Sequence, residues 1–278
     1  MPHISVSKTL GFAFSFLFRN AAAIASRVVL PALVGWIVFY VSIFLFLAEL
    51  ERFLNGPSDR IAGVIFGLVA GGLLATLFLH CVIVAAVAAL ALGLEDDGWK
   101  FFHIARREWR LYAANLRLLL VAAIWMGSIL TLQFAATRLS SPVHLELAAN
   151  LLMAGGLGFL AVRGWFLTAP VSVDKLDGPI LRRAWRLSAH DAWRLAAIVF
   201  VLAMLGLAVE TAGEFVLQAS GAVPPLPSSA PLADYAALYR KILPCVLIAV
   251  GVAYLIGSVL LTAARVYVYR QLTERAEP

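Results

Sequence analysis

Three times along the chain an aromatic residue is followed two positions on by an apolar one and four further on by Asn or Asp: Phe14-Phe16-Asn20, Trp109-Leu111-Asn115 and Trp185-Leu187-Asp191. Two long apolar segments follow each copy. A hydrocarbon core of about 30 Å needs roughly 20 helical residues to cross, and segments near 27–49, 62–94, 117–137, 147–172, 195–218 and 243–266 meet that requirement. The pattern predicts an all-α polytopic membrane protein with six transmembrane helices. They are arranged in three pseudo-repeats, each an interfacial amphipathic helix plus a transmembrane hairpin. The whole chain, 1–278, reads as one integral membrane domain with repeat units of about 5–94, 98–172 and 178–272.

Periodicity supports the interfacial helices. In the third copy Arg182, Arg186, His190 and Arg194 recur every four residues, while Ile180, Leu181, Ala184, Trp185 and Ala192 form the opposite stripe of a 3.6-residue period. Gly178-Pro179 supplies a start signal, since proline is tolerated in a first turn. The second copy sets Lys100, His103, Arg106 or Arg107, Arg110, Ala114 and Arg117 against Phe101, Ala105, Trp109, Tyr112 and Leu116. In the first copy Leu10, Phe12, Phe14, Phe16 and Phe18 alternate as a strand would, but its register with the other copies favours a helix with Lys8, Gly11, Ser15 and Arg19 outward. Asn20, Asn115 and Asp191 fall where each interfacial helix should bend into a span, and are read as caps for the free N–H groups that open a helix.

Glycine spacing suggests how the spans pack. Gly63, Gly67 and Gly71 repeat every four residues in the second span, which predicts a close helix contact. Gly71-Gly72 is the expected bend in that long segment. Gly155, Gly156 and Gly158 mark a packing face or a looser stretch in the fourth. Between 219 and 242, four prolines predict an extended stretch. Leu232, Tyr235, Ala236 and Tyr239 then predict a short helix lying back on the membrane.

Composition agrees: 62% of residues are hydrophobic and 14% charged, against roughly 45–50% and about 25% in a soluble domain. The net charge of +6 is asymmetrically placed. Of 22 basic residues only Arg52, Arg60, Arg138, Arg240 and Lys241 fall on the outer side if both termini are cytoplasmic, and Arg163 lies within a span. Basic residues concentrate in cytoplasmic loops, so the charge is a topological signal and not one for nucleic acid. Cys81 and Cys245 sit in apolar spans, where no disulfide or metal pairing is expected. The stretch Thr9–Phe18 with Ala23-Ile24-Ala25 imitates a cleaved leader, but Arg19 and Asn20 interrupt it and a full span follows.

Charges inside a bilayer are costly enough to raise a functional question. His80, Arg163 and Glu210 are the intramembrane polar candidates, with Glu214 nearer the outer surface. Arg163 lies about 13 Å and Glu210 about 22 Å from the inner ends of their helices. An Arg163–Glu210 pair is one expectation. Snorkelling of both groups to opposite headgroup layers is the other. For His80 a bond to a backbone carbonyl or a neighbouring helix is expected. The sequence contains no phosphate-binding glycine loop, no zinc-binding helix motif and no nucleophile elbow. Glu95, Asp96 and Asp97 form an acidic cluster beside Lys100 and Arg106, read as local charge balance. No catalytic residue, metal site or cofactor is assigned.

The stretch Gly178-Pro179-Ile180-Leu181-Arg182-Arg183-Ala184-Trp185-Arg186-Leu187-Ser188, followed by Asp191 and Trp193-Arg194-Leu195, resembles a group of bacterial multi-span proteins. That group includes the membrane domain found ahead of some glycerophosphodiester phosphodiesterases. Phe16-Leu17-Phe18-Arg19-Asn20 with Pro31, and Tyr269-Arg270-Gln271-Leu272, are similar to the same group's ends, although Ala184 replaces the expected Ser. The resemblance implies a six-span bacterial inner-membrane protein and carries no activity, because the hydrolase domain is absent. Together these features lead us to expect a non-enzymatic protein that organises or senses lipid or scaffolds a membrane partner. The alternative is a transporter of lipid or small molecules with a site near Arg163 and Glu210. Arg106, Arg107, Arg110, Arg182, Arg183 and Arg186 are the candidate contacts for anionic headgroups, at about 1 kcal/mol per basic residue near the surface.

Overall fold

The computed structural model describes residues 4–55, 61–94, 106–138, 143–174, 178–189, 191–219 and 232–276. Among them every regular element is a helix: α1 (Val6–Arg19), α2 (Ala21–Asn55), α3 (Ile61–Leu92), α4 (Arg106–Arg138), α5 (Val143–Leu160), a π-helical turn (Ala161–Trp165), α6 (Thr168–Val173), α7 (Ile180–Leu187), α8 (Ala192–Ala219) and α9 (Leu232–Ala276). Five stretches are long and apolar enough to span a membrane: Ala21–Leu50, Gly67–Leu92, Arg106–Phe134, Leu147–Val173 and Val250–Glu274. A sixth arises if α7 and the first part of α8, which meet at 102°, count as one bent span.

The predicted helix of the first copy is present. Ser5 caps α1 by accepting from the Lys8 amide, and Thr9, Ala13 and Phe16 are buried while Lys8, Gly11 and Arg19 are exposed. Asn20 separates α1 from α2, but not as an N-cap. Its side-chain amide donates backward to the Phe16 carbonyl at 3.0 Å, closing the end of α1, while its own carbonyl accepts from Ile24 to begin α2. At the third junction the Asp191 carbonyl accepts from Arg194 and Leu195, and its carboxylate pairs with Arg194 at 3.1 Å. The bend expected at Asn115 does not occur. Because α4 runs unbroken from Arg106 to Arg138, Asn115 lies within a helix that already satisfies its backbone, and its side chain turns inward to donate to the Cys81 sulfur at 3.2 Å. The start of the second copy, residues 98–105 with Lys100 and His103, lies outside the described residues, as do Glu95–Asp97, His190 and the proline stretch 220–231.

A second difference concerns the external helix. Leu232 does begin a helix, yet it continues through Pro244 as the 45-residue α9, so it extends the last span instead of lying on the membrane. The second span is likewise one helix, α3, with no break at Gly71-Gly72. It stops at Gly93, whose φ of +71° is the left-handed region that glycine adopts without a Cβ penalty. Gly93 N–H bonds to Leu90 O and Leu94 N–H to Ala89 O, which satisfies the carbonyls of the last turn.

Packing is concentrated at one end of the bundle. Buried positions occupy the C-terminal halves of α3 (Cys81–Ala91) and α9 (Ser258–Leu272). They also occupy the N-terminal parts of α2 (Ile24, Val28, Ala32), α4 (Leu111, Ala114) and α8 (Leu195, Ile198). Ala85, Ala88 and Ala89 of α3, with Ala263 and Ala264 of α9, keep side chains small where the long helices meet. Phe12 of α1 stacks on Tyr267 of α9 at 4.9 Å, so α1 is bound into that same end. At the opposite end Val64, Leu73, Leu74, Leu130, Leu132 and Phe134 are exposed, as lipid-facing side chains are in the absence of lipid.

The glycine prediction is corrected as well. A Cβ on Gly63, Gly67 or Gly71 would meet nothing within 4 Å, whereas one on Gly72 would run into the Cα–Cβ–Oγ of Ser42 on α2. A Cβ added to Gly251 would likewise come within 2.8 Å of the Trp36 indole, one on Gly164 within 2.8 Å of Leu118, and one on Gly156 would overlap the Trp125 indole. Of Gly155, Gly156 and Gly158, only Gly156 is a packing position, since a Cβ on either of the others would meet nothing within 4 Å.

Candidate functional site

Two neighbouring features occupy the packed end: a basic surface and, beneath it, a buried polar layer. The basic surface is built on α7. Ile180 and Ala184 are buried against the bundle, which leaves Arg182 and Arg186 exposed on the other side, as the periodicity requires. Arg110 of α4 donates to the Gly178 carbonyl at 3.4 Å, so the second copy's basic cluster abuts the third's. Trp109, Trp185 and Trp193 are exposed around this surface, with Trp193 at 86%. Indole rings at the headgroup level are the usual border of such a region.

The six arginines singled out from the sequence divide into two kinds. Arg106, Arg182 and Arg186 are exposed, and Arg110 is partly so. Arg183 is committed to the fold. It lies 3.6 Å from Asp174 and 6.0 Å from the centre of the Tyr269 ring, while the Tyr269 hydroxyl donates to the same Asp174 carboxylate. This cluster ties α7 to the inner end of α9. Arg107 is committed too, through a 2.6 Å pair with Glu108, a carboxylate only 1% exposed in the first turn of α4. A negative charge is favourable there, because the free N–H groups of the turn point toward it.

Arg163 lies in the π-helical turn, where Phe166 N–H reaches back five residues to Ala161 O. Such turns commonly occur at functional positions. Ser188, fully buried at the end of α7, lies with its hydroxyl 3.2 Å from the Arg163 carbonyl and 3.1 Å from that of Trp185. The Arg163 guanidinium carbon is 4.9 Å from the Trp185 ring centre and 6.0 Å from Phe159, and its buried Nε has no hydrogen-bond partner. The side chain therefore reaches toward α7. Glu210 lies on α8, and its side chain is outside the described residues. His80 bonds through Nδ1 to the Tyr254 hydroxyl of α9 at 2.5 Å, the neighbouring-helix contact expected for it. Arg163 and His80 thus engage different partners.

Arg265 belongs to the basic residues that the charge count assigned to the cytoplasmic side, and the structure shows it buried within the bundle. It is 1% exposed, the largest fully buried side chain among the described residues. Its guanidinium carbon lies 3.8 Å from the centre of the Trp165 ring and 5.8 Å from Phe166, and Nε and Nη2 are buried with no hydrogen-bond partner. A signal was available in the chain. Tyr254, Ser258, Thr262, Arg265 and Tyr269 are spaced by four, four, three and four, which is one face of a helix. That polar stripe faces inward, with Ser258, Thr262 and Tyr269 all buried.

No group of three or more His, Cys, Asp or Glu residues suited to a metal ion occurs among the described residues. Comparison with known protein families, with characterised proteins and with solved structures finds no match. The class that fold and site define is an all-helical protein whose helices are long and apolar enough to span a membrane, with its polar chemistry gathered at one end.

Proposed function

We propose that this chain is a non-enzymatic protein of the bacterial inner membrane that binds and organises anionic lipid through the basic face at its packed end. The observation that carries the reading is the helix α7. It buries Ile180 and Ala184, exposes Arg182, Trp185 and Arg186, and is met at Gly178, just before its start, by Arg110 of α4. A helix that is basic on one side and apolar on the other lies in the headgroup plane, where phosphate oxygens supply acceptors that the protein does not. A role as scaffold for a membrane partner would use the same face. The transporter alternative gains no support from Arg163, which engages Trp185 and Phe159.

The test uses Arg182→Gln with Arg186→Gln. Arg183 is excluded because its pairing with Asp174 makes its loss a structural change. Gln keeps a helix propensity close to that of Arg. The double variant should co-purify with less anionic lipid, by roughly 30-fold in relative affinity if each charge contributes about 1 kcal/mol. Added salt should reduce enrichment in the wild type. Lipid mass spectrometry of both proteins at two salt concentrations gives the answer, and equal enrichment in all four samples would refute the reading.

Orientation belongs to the same proposal. With six crossings, both termini and the basic face are cytoplasmic. A cysteine introduced at Ser228, which lies outside the described residues, should then be labelled by an impermeant thiol reagent added from the periplasm, and one at Glu274 should not. The reverse pattern would place the basic face on the wrong side for the proposed function.

A further inference from the structure

We infer that the buried edge of Arg265 is a binding site for an oxyanion bearing two adjacent oxygens, of the phosphate or phosphodiester class. The two unpartnered buried nitrogens, Nε and Nη2, form one edge of the planar guanidinium. Their N–H groups form the parallel fork that accepts a carboxylate or phosphate in bidentate fashion. The guanidinium carbon lies 3.8 Å from the centre of the Trp165 ring, which restrains the group and leaves its two unpartnered nitrogens buried. No carboxylate among the described residues lies within ion-pair distance of it. An arginine charge taken out of water without a partner is strongly unfavourable, and cation–π contact offsets only part of that.

The surroundings suit an anion and little else. Arg163, with a second unpartnered buried Nε, belongs to the same π-helical turn as Trp165. The depth is also informative. Arg265 is four residues, or about 6 Å, inward of Tyr269, whose hydroxyl meets Asp174 and, through it, Arg183 of α7. The fork therefore lies just beneath the layer where α7 joins the bundle. A phosphate reaching it is either free or part of a lipid headgroup. The site is independent of the exposed arginines Arg182 and Arg186.

The experiment compares wild type, R265M, R265K and the Arg182→Gln/Arg186→Gln variant, each purified in neutral detergent and depleted of phosphate by prolonged exchange at constant ionic strength. Melting temperature is followed with added inorganic phosphate or with phosphatidylglycerol in mixed micelles, and retained phosphorus is measured after denaturation. Wild type should gain about 5 °C near saturation, or retain one phosphorus per chain that R265M lacks. R265M should gain nothing. R265K keeps the charge but not the fork, and should gain less than half as much. A response to inorganic phosphate alone identifies a free oxyanion; a response confined to phosphatidylglycerol identifies a headgroup. The Arg182→Gln/Arg186→Gln variant should respond as wild type does, which separates this site from the basic face. Equal behaviour of wild type and R265M overturns the proposal. Should R265M not fold, a full wild-type response in R265K overturns it equally.

Discussion

Gly72→Leu should loosen the α2–α3 pair, whereas Gly67→Leu should leave it intact. At position 72 even the first carbon of a side chain would overlap Ser42, including its Cβ, which cannot move without its backbone. The helices must therefore part or shift, and overpacking of this kind costs about 1–3 kcal/mol. At position 67 an added Cβ meets nothing within 4 Å, so leucine there adds surface toward lipid and should be tolerated. Its greater helix propensity than glycine acts in the same direction. Melting temperatures of both variants in detergent and in nanodiscs provide the check. A destabilised Gly67→Leu beside an unaffected Gly72→Leu would mean that α3 is rotated relative to its neighbours.

That contrast shows what the sequence could and could not convey. Hydropathy locates apolar helices well because the bilayer imposes one length on them all, and each expected span is matched by an apolar helix or, for α8, by part of a bent pair. It conveys less about which side of a helix meets protein, since lipid tails and protein cores are equally apolar. The repeating Gly63-Gly67-Gly71 face meets no neighbouring helix, while the contact comes from Gly72, one residue outside the pattern. Where one side of a helix meets water or headgroups the signal returns. Arg182 and Arg186 against Ile180 and Ala184 were legible for that reason, as were Lys8 and Arg19 against Ala13 and Phe16.

Local signals failed where tertiary contacts compete with them. Asn115 has the spacing of Asn20, but the backbone around it is already hydrogen-bonded within α4. Its side chain is free to bond with Cys81, and no cap is needed. The short helix expected around 232–239 is not separate from the last span: a proline inside a membrane helix can be accommodated by its surroundings, and α9 runs unbroken through Pro244. Arg183 and Arg186 looked alike as members of one basic run. Only the fold reveals that Asp174 and Tyr269 claim the first and leave the second outward. Arg265 was counted among the basic residues near a helix end, but its burial was not foreseen, although the polar stripe from Ser258 to Tyr269 marks its side of α9 as inward.

Trp165→Leu should be among the most damaging substitutions at the packed end, and its effect should depend on the residue at 265. The indole is the nearer of the two rings over the Arg265 guanidinium, at 3.8 Å against 5.8 Å for Phe166, and a desolvated cation–π contact is worth about 2 kcal/mol or more. Leucine removes that attraction and leaves the charge in an apolar setting. In an Arg265→Met background the same change loses only packing, because methionine carries no charge and adapts its shape to the space. The four proteins of a double-mutant cycle, melted in phosphate-free detergent, isolate the coupling from the cost of truncating the ring. A coupling of about 2 kcal/mol is expected, with Trp165→Leu more harmful when Arg265 is present. Strict additivity would mean that Trp165 merely fills volume, and that the guanidinium is held in place by something other than the ring beneath it.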